Sequence, residues 1–193
     1  MNSAEQKMIV VSAPSGAGKT TIVKHLLKSF PQLGFSVSAT SRTIRDCELN
    51  GREYYFLSSD DFRLLIDQGK LLEWQEVYAG SYYGTPVSEV ERIASNGQFP
   101  VFDVDVVGGL NIKKMFGDKA LAIFIKPPSY EILELRLRSR ATDSEESLQK
   151  RLDKVKWELT FEKDFDCVIV NDKLEDAFNQ AEKLVTDFLD LKP

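Results

Sequence analysis

Residues Ser12 to Thr21 read SAPSGAGKTT, between the apolar run Met8-Ile9-Val10-Val11 and an amphipathic stretch. The segment Ala13-Pro14-Ser15-Gly16-Ala17-Gly18-Lys19-Thr20 follows the G-x-x-x-x-G-K-[ST] spacing of a phosphate-binding loop, with Ala13 in place of the first glycine. Gly16 and Gly18 allow positive φ, so successive N–H groups can converge on one anion. The helix that follows adds the partial positive charge of its N-terminus. Lys19 is a flexible point charge for β- and γ-phosphates, and the Thr20 hydroxyl suits Mg²⁺. The plainer alternative is a Gly-rich turn with a chance lysine. A strand before, a helix after and the Gly-Lys-Thr-Thr run weigh against it. The loop fits a kinase, a hydrolase or a switch protein, and does not name the acceptor of the phosphate. A second apolar run, PVFDVDVVGG, carries Asp103 and Asp105 at what should be the carboxyl end of a buried strand, where side chains face a ligand crevice. At least one of them is expected near Mg²⁺ or the acceptor, the alternative being a cap for the next helix.

These side chains need a scaffold. MIVVSA, PVFDVDV, ALAIFI and CVIV are short, continuously apolar runs that read as strands buried on both faces. Helical patterns separate them: KTTIVKHLLKSF, Tyr130 to Arg138, Ser144 to Lys163 with Asp143 as N-cap and Glu146 three residues on, and Leu174 to Leu189. Alternation of this kind predicts a parallel sheet covered on both faces. His25, the only histidine, falls among the polar positions of the first helix and is expected to be solvated. From Phe35 to Tyr83 the pattern changes to short pieces rich in Tyr, Phe and Val, turns such as Asn50-Gly51, and a small helix near Asp60 to Gln68. This predicts a compact, mostly antiparallel lobe inserted into the parallel core.

The 193 residues are 42% apolar, enough for one sizeable core, and the net charge of -5 argues against a general nucleic-acid binder. No run is long enough to span a membrane, and MNSAEQK lacks the apolar segment of a signal peptide. Two cysteines, Cys47 and Cys167, without metal-ligand spacing suit a reducing cytosol, so a cytoplasmic location is expected.

Taken in order, FSVSATSRTIRDCELNGREYYF, LLEWQEVYAGSYYGTP, FDVDVVGG, RLRSRATDSEESLQKRL and VIVND are similar to the succession found in guanylate kinases, from about Met8 to about Leu189. The resemblance implies an α/β fold of the P-loop nucleoside-monophosphate-kinase kind. Its parallel sheet is flanked by helices (core about 1–34, 97–135 and 165–193), with an inserted α+β GMP-binding lobe (about 35–96) and a helical lid (about 136–164). It implies transfer of the γ-phosphate of ATP, with Mg²⁺, to GMP and with it dGMP, giving ADP and GDP. The loop from Ser12 to Thr21 would then hold ATP, with Asn171 near its adenine. Arg42 and Arg45, three apart, can fork one acceptor phosphate, and by resemblance Tyr54 and Tyr83 add phenol donors. Aromatic packing is the simpler account for Tyr55 and Tyr82. Glu73 matches the family residue that accepts from guanine N1–H and N2–H₂. Ser38 and Thr85 match smaller contacts to the base, and Asp103 lies close to it. Arg136, Arg140 and Arg151 match lid arginines that stabilise the transferring group, and with Lys19 and Arg42 they form the expected catalytic set. Thr20 is expected on Mg²⁺, with Asp103 or Asp105 reaching it through water.

Departures from the family pattern are Ala13, Ile44 between the arginines, Cys47 before Glu48, and Ala141 after the lid arginine. None removes a charge or a donor. ATP and GMP are the expected partners, with neither nucleic acid nor membrane, and a homo-oligomer is left open. The rival readings are a non-catalytic guanylate-kinase-like interaction module, against which Gly18-Lys19-Thr20 speaks, and a kinase for another nucleotide, against which Glu73 and Ser38 speak.

Overall fold

The computed structural model describes residues 6–46, 48–78, 80–139 and 145–191. Cys47, Arg140, Ala141 and Asp143 lie outside these. In chain order the elements are β1 (Met8–Ser12), α1 (Lys19–Ser29), β2 (Leu33–Ser36), β3 (Ala39–Thr40), β4 (Tyr55–Phe56), α2 (Ser59–Asp67), β5 (Leu71–Tyr78), β6 (Ser81–Pro86), α3 (Val87–Ser95), β7 (Phe99–Asp103), α4 (Val106–Phe116), β8 (Ala120–Lys126), α5 (Tyr130–Arg138), α6 (Glu145–Leu159), β9 (Cys167–Val170) and α7 (Leu174–Leu189).

The larger sheet has strand order β2-β7-β1-β8-β9, and every pairing in it is parallel. Its central strands are apolar up to their last residues, Ser12, Asp103 and Lys126, and both of their faces are covered. Ile9 and Val11 of β1, with Leu121, Ile123 and Ile125 of β8, join a cluster that includes Ile22, Leu26, Leu133, Leu152 and Val185. The alternate residues Met8, Val10, Ala120, Ala122 and Phe124 face a second cluster with Val106 and Ile112 of α4. The period of two along a strand thus builds two cores from one run. β2 was not separable by pattern. Phe35, expected at the start of the inserted lobe, pairs with Val101 of β7 at the edge of this sheet.

A smaller sheet, β4-β3-β6-β5, forms from the middle of the chain. β3–β6 and β5–β6 are antiparallel, whereas β3–β4 is parallel. Phe62 of α2 is fully buried beneath it and stacks on Tyr82 at 5.6 Å.

His25 departs from expectation. It stacks on Phe178 of α7 with centroids 3.7 Å apart and planes 2° apart, and its Nε2 lies 2.7 Å from Glu182 Oε1. The amphipathic α7 lies along α1, so a polar position of α1 becomes an interface position. No helix among the described residues is long and apolar enough to cross a membrane.

Candidate functional site

The chain leaves β1 at Ser12 and turns into α1 through a loop whose geometry depends on two glycines. Gly16 and Gly18 have φ of 91° and 93°. Gly18 caps α1 in the left-handed conformation with no side-chain cap, so the first amides of the helix are left for a ligand. A Cβ on Gly18 would lie 2.3 Å from Asn171 Nδ2. That amide nitrogen donates to Ala17 O at 2.8 Å, tying the loop to the end of β9. Ser12 is buried beneath the loop, where its hydroxyl donates to Asp105 O at 3.0 Å. Ala13, Pro14 and Ala17 are buried as well, and Thr21 is exposed on α1.

β7 lies beside β1, so its last residue, Asp103, faces the start of α1. Lys19 Nζ is 2.8 Å from Asp103 Oδ1 and also donates to Val104 O. Thr20 Oγ1 donates to Asp103 Oδ2 at 3.0 Å. Burial alone would lower the Lys19 pKa, but the adjoining Asp103 carboxylate outweighs it and holds the ammonium above its ordinary value. Asp105 caps α4, accepting from Gly108 N–H at 2.9 Å. Two arginines approach the loop from the other side. Arg151 of α6 donates to Ser15 Oγ at 2.9 Å, and Arg136 of α5 donates to Asn171 O at 3.2 Å. Arg140, expected with them, lies outside the described residues.

The remaining expected residues gather between the two sheets. Ser38, Tyr54, Glu73, Tyr83, Asp103 and Lys154 line a cavity of about 140 Å³. A wider cleft of about 670 Å³ adjoins it, sharing Ser38, Tyr54 and Asp103 and adding Thr20, Arg42 and Arg45. Glu73, 8% exposed, accepts from Thr85 Oγ1 at 2.7 Å. Burial, with the nearby Asp105 charge, pushes its carboxyl up to about 7. α4 packs closely here, since a Cβ on Gly108 would sit 2.9 Å from Glu73 Oε2.

The Arg42 guanidinium is held by Glu48 at 2.7 and 2.5 Å, and Glu48 also accepts from Arg45 N–H at 2.9 Å. This bidentate pairing holds Arg42 above and Glu48 below their usual ranges. Arg42 also lies over the Tyr54 ring at 5.1 Å, and Tyr54 meets Tyr83 edge to face at 5.9 Å. Tyr55 and Tyr82 take other parts, Tyr55 donating to Glu89 at 2.9 Å and Tyr82 stacking on Phe62.

The loop after β1 and the two adjoining cavities therefore share one junction, the cluster of Lys19, Thr20 and Asp103. Glu48, Lys154 and Glu158 were not foreseen from sequence. Lys154 and Glu158 share a helix face with Arg151, at spacings of three and seven. That face was the only signal in the chain for them.

A profile of the family described as guanylate kinase matches residues 5–188. A guanylate kinase from Porphyromonas gingivalis is 50% identical over 184 residues, covering 95% of this chain and 98% of that protein. One from Bacteroides thetaiotaomicron is 49% identical over 183 residues, covering 95% of this chain and 90% of that one. Among solved structures, the crystal structure of guanylate kinase from Anaplasma phagocytophilum superposes with a TM-score of 0.75 at 27% identity, over 98% of this chain and 88% of that one. A match of this extent, on an α/β fold, means that this chain belongs to the guanylate kinase family.

Proposed function

We propose that this protein is a guanylate kinase that transfers the γ-phosphate of ATP to GMP, and to dGMP with it, releasing ADP and GDP. The observation that carries the reading is the buried Glu73 carboxylate in a cavity continuous with the Arg42–Arg45 cleft, across Asp103 from the phosphate loop. One carboxylate can accept both guanine N1–H and N2–H₂. Adenine offers neither, and a site built on such a bond can reject the analogue lacking it by roughly 10⁴-fold.

The division of labour follows from position. Residues 12–21 hold the ATP phosphates on backbone amides and Lys19, with Asn171 beside the loop. Arg42, Arg45, Tyr54 and Tyr83 hold the acceptor phosphate, and Ser38, Thr85 and Asp103 flank the base. Arg136 and Arg151, with Arg140, screen charge on the transferring group. The acceptor oxygen is already a nucleophile, so no base is required and the protein acts by positioning and charge. Thr20 Oγ1, with Asp103 or Asp105 through water, would hold Mg²⁺, since all are hard oxygen donors. Bound there, Mg²⁺ would neutralise charge on the phosphate oxygens. The corresponding parts are a core (about 1–34, 97–135 and 165–193), an acceptor lobe (about 35–96) and a lid (about 136–164).

ATP consumption measured with GMP, AMP, CMP, UMP or no acceptor tests the reading. Activity restricted to guanine nucleotides is expected. Nucleotide binding without turnover would favour an interaction module, and turnover with another base would assign a different kinase.

A further inference from the structure

Helix α6 presents three charged residues to the site along one face, at 151, 154 and 158. Arg151 is already bonded to Ser15 Oγ. Glu158 is more unusual, because it is a carboxylate only 3% exposed. Its Oε2 has no hydrogen-bond partner among the described residues. Burial pushes its pKa above the ordinary carboxylate range, while the nearby Lys154 charge and, more weakly, the backbone N–H of Ser15 favour its charged form. Lys154 lies 3.6 Å from Glu158 Oε1 and 3.8 Å from Asp105 Oδ2. A buried carboxyl group with one oxygen unsatisfied is costly to keep, and such groups call for an explanation in what the site does.

We propose that Glu158 is a positioning residue for the phosphate loop: its carboxylate takes the Ser15 N–H as ATP seats, while Arg151 holds the Ser15 hydroxyl. Ser15 is then gripped from the same helix at its main chain and its side chain. Through Lys154 the same carboxylate faces Asp105, the cap of α4 and a wall of the acceptor cavity. Loop, α6 and the head of α4 are thereby set as one unit. No contact between Glu158 and either nucleotide is invoked.

The inference rests on the phosphate loop being the ATP site, so Lys19→Ala is measured alongside. Glu158→Ala should raise KM for ATP about tenfold, the scale of a lost charged hydrogen bond, with KM for GMP within about twofold of wild type. Glu158→Gln keeps an acceptor for Ser15 N–H and should recover most of that loss. An unchanged KM for ATP in Glu158→Ala, or equal rises for ATP and GMP that track a lowered Tm, overturns the proposal. If Glu158→Ala does not fold, Glu158→Asp replaces it. It keeps the charge but withdraws the carboxylate by one methylene, and the same comparison of the two KM values decides. Full turnover in Lys19→Ala would instead remove the ATP site itself, whatever the Glu158 variants do.

Discussion

At the scale of single residues, the site holds one carboxylate in tension between stability and recognition. Glu73 has a pKa of about 7 against 4.5 when unburied. Between those values the folded chain binds more protons than the unfolded one, so this residue makes stability fall as pH rises from about 4.5 to 7. A shift of that size corresponds to roughly 3 kcal/mol, lost progressively between those two values and complete above pH 7. Glu73→Gln should therefore be more thermostable than wild type at pH 8 and nearly equal at pH 4.5, as read by Tm in the absence of nucleotide. In its proposed role Glu73 accepts from guanine in the ionised form, so KM for GMP in the wild type should rise as pH falls below 7. The GMP phosphate also titrates near pH 6, and the slope remaining in Glu73→Gln isolates that part. Lys19 is a simpler case. Lys19→Ala should fold, retain GMP binding by calorimetry, and lose about 10²–10³ in turnover, the usual cost of one donor to a transferring group. Wild-type turnover from that variant would place the γ-phosphate elsewhere.

At the scale of elements, helix termini aim the chemistry. Asp105 begins α4 by accepting from Gly108 N–H, and that helix packs its glycines against Glu73 on one side and Ser12 on the other. Asp105→Ala should cost about 1 kcal/mol of unfolding free energy through the lost cap, while Asp105→Asn, which keeps an acceptor oxygen, should recover most of it in urea denaturation. Elements with a strong internal period were legible in the chain. The helices over Tyr130–Arg138 and Leu174–Leu189 are legible from apolar spacing, and the strand Ala120–Lys126 as the unbroken apolar run Ala120–Ile125. β2 was not, because four residues at a sheet edge carry too little pattern to separate them from the lobe that follows. The same contrast holds in the site. Gly16, Gly18, Lys19 and Thr20 are neighbours in the chain, so their joint role was readable from spacing. Glu48 is not readable as the partner of Arg42, because folding rather than spacing decides which carboxylate meets which donor. His25 departs from its solvated expectation for that reason too, its surroundings being set by α7 more than 150 positions away.

At the scale of the whole molecule, the loop of residues 12–21 stands on the larger sheet and most residues proposed to hold the acceptor on the smaller one, so the junction between the sheets would have to keep them in register. Glu89 of α3 forms much of that junction. It is 2% exposed and accepts from Val37 N–H, between β2 and β3, at 2.8 Å and from Tyr55 OH of β4 at 2.9 Å. Arg92 pairs with it at 2.8 Å and donates to Phe35 O of β2 at 2.9 Å. These donors outweigh burial and hold the Glu89 carboxyl below its ordinary range. Removing the carboxylate strands the buried Val37 N–H and unpairs Arg92, so Glu89→Ala should lose about 3 kcal/mol of stability. Tyr55→Phe, which removes one bond and leaves the ion pair, should lose about 1 kcal/mol. The functional signature is directional. Arg42, Tyr54, Glu73 and Tyr83 move with the smaller sheet while the loop stays with the larger, so both variants should raise KM for GMP more than KM for ATP at temperatures well below their Tm. Equal shifts in the two constants would mean that Glu89 stabilises the chain as a whole and that the sheets keep their register without it.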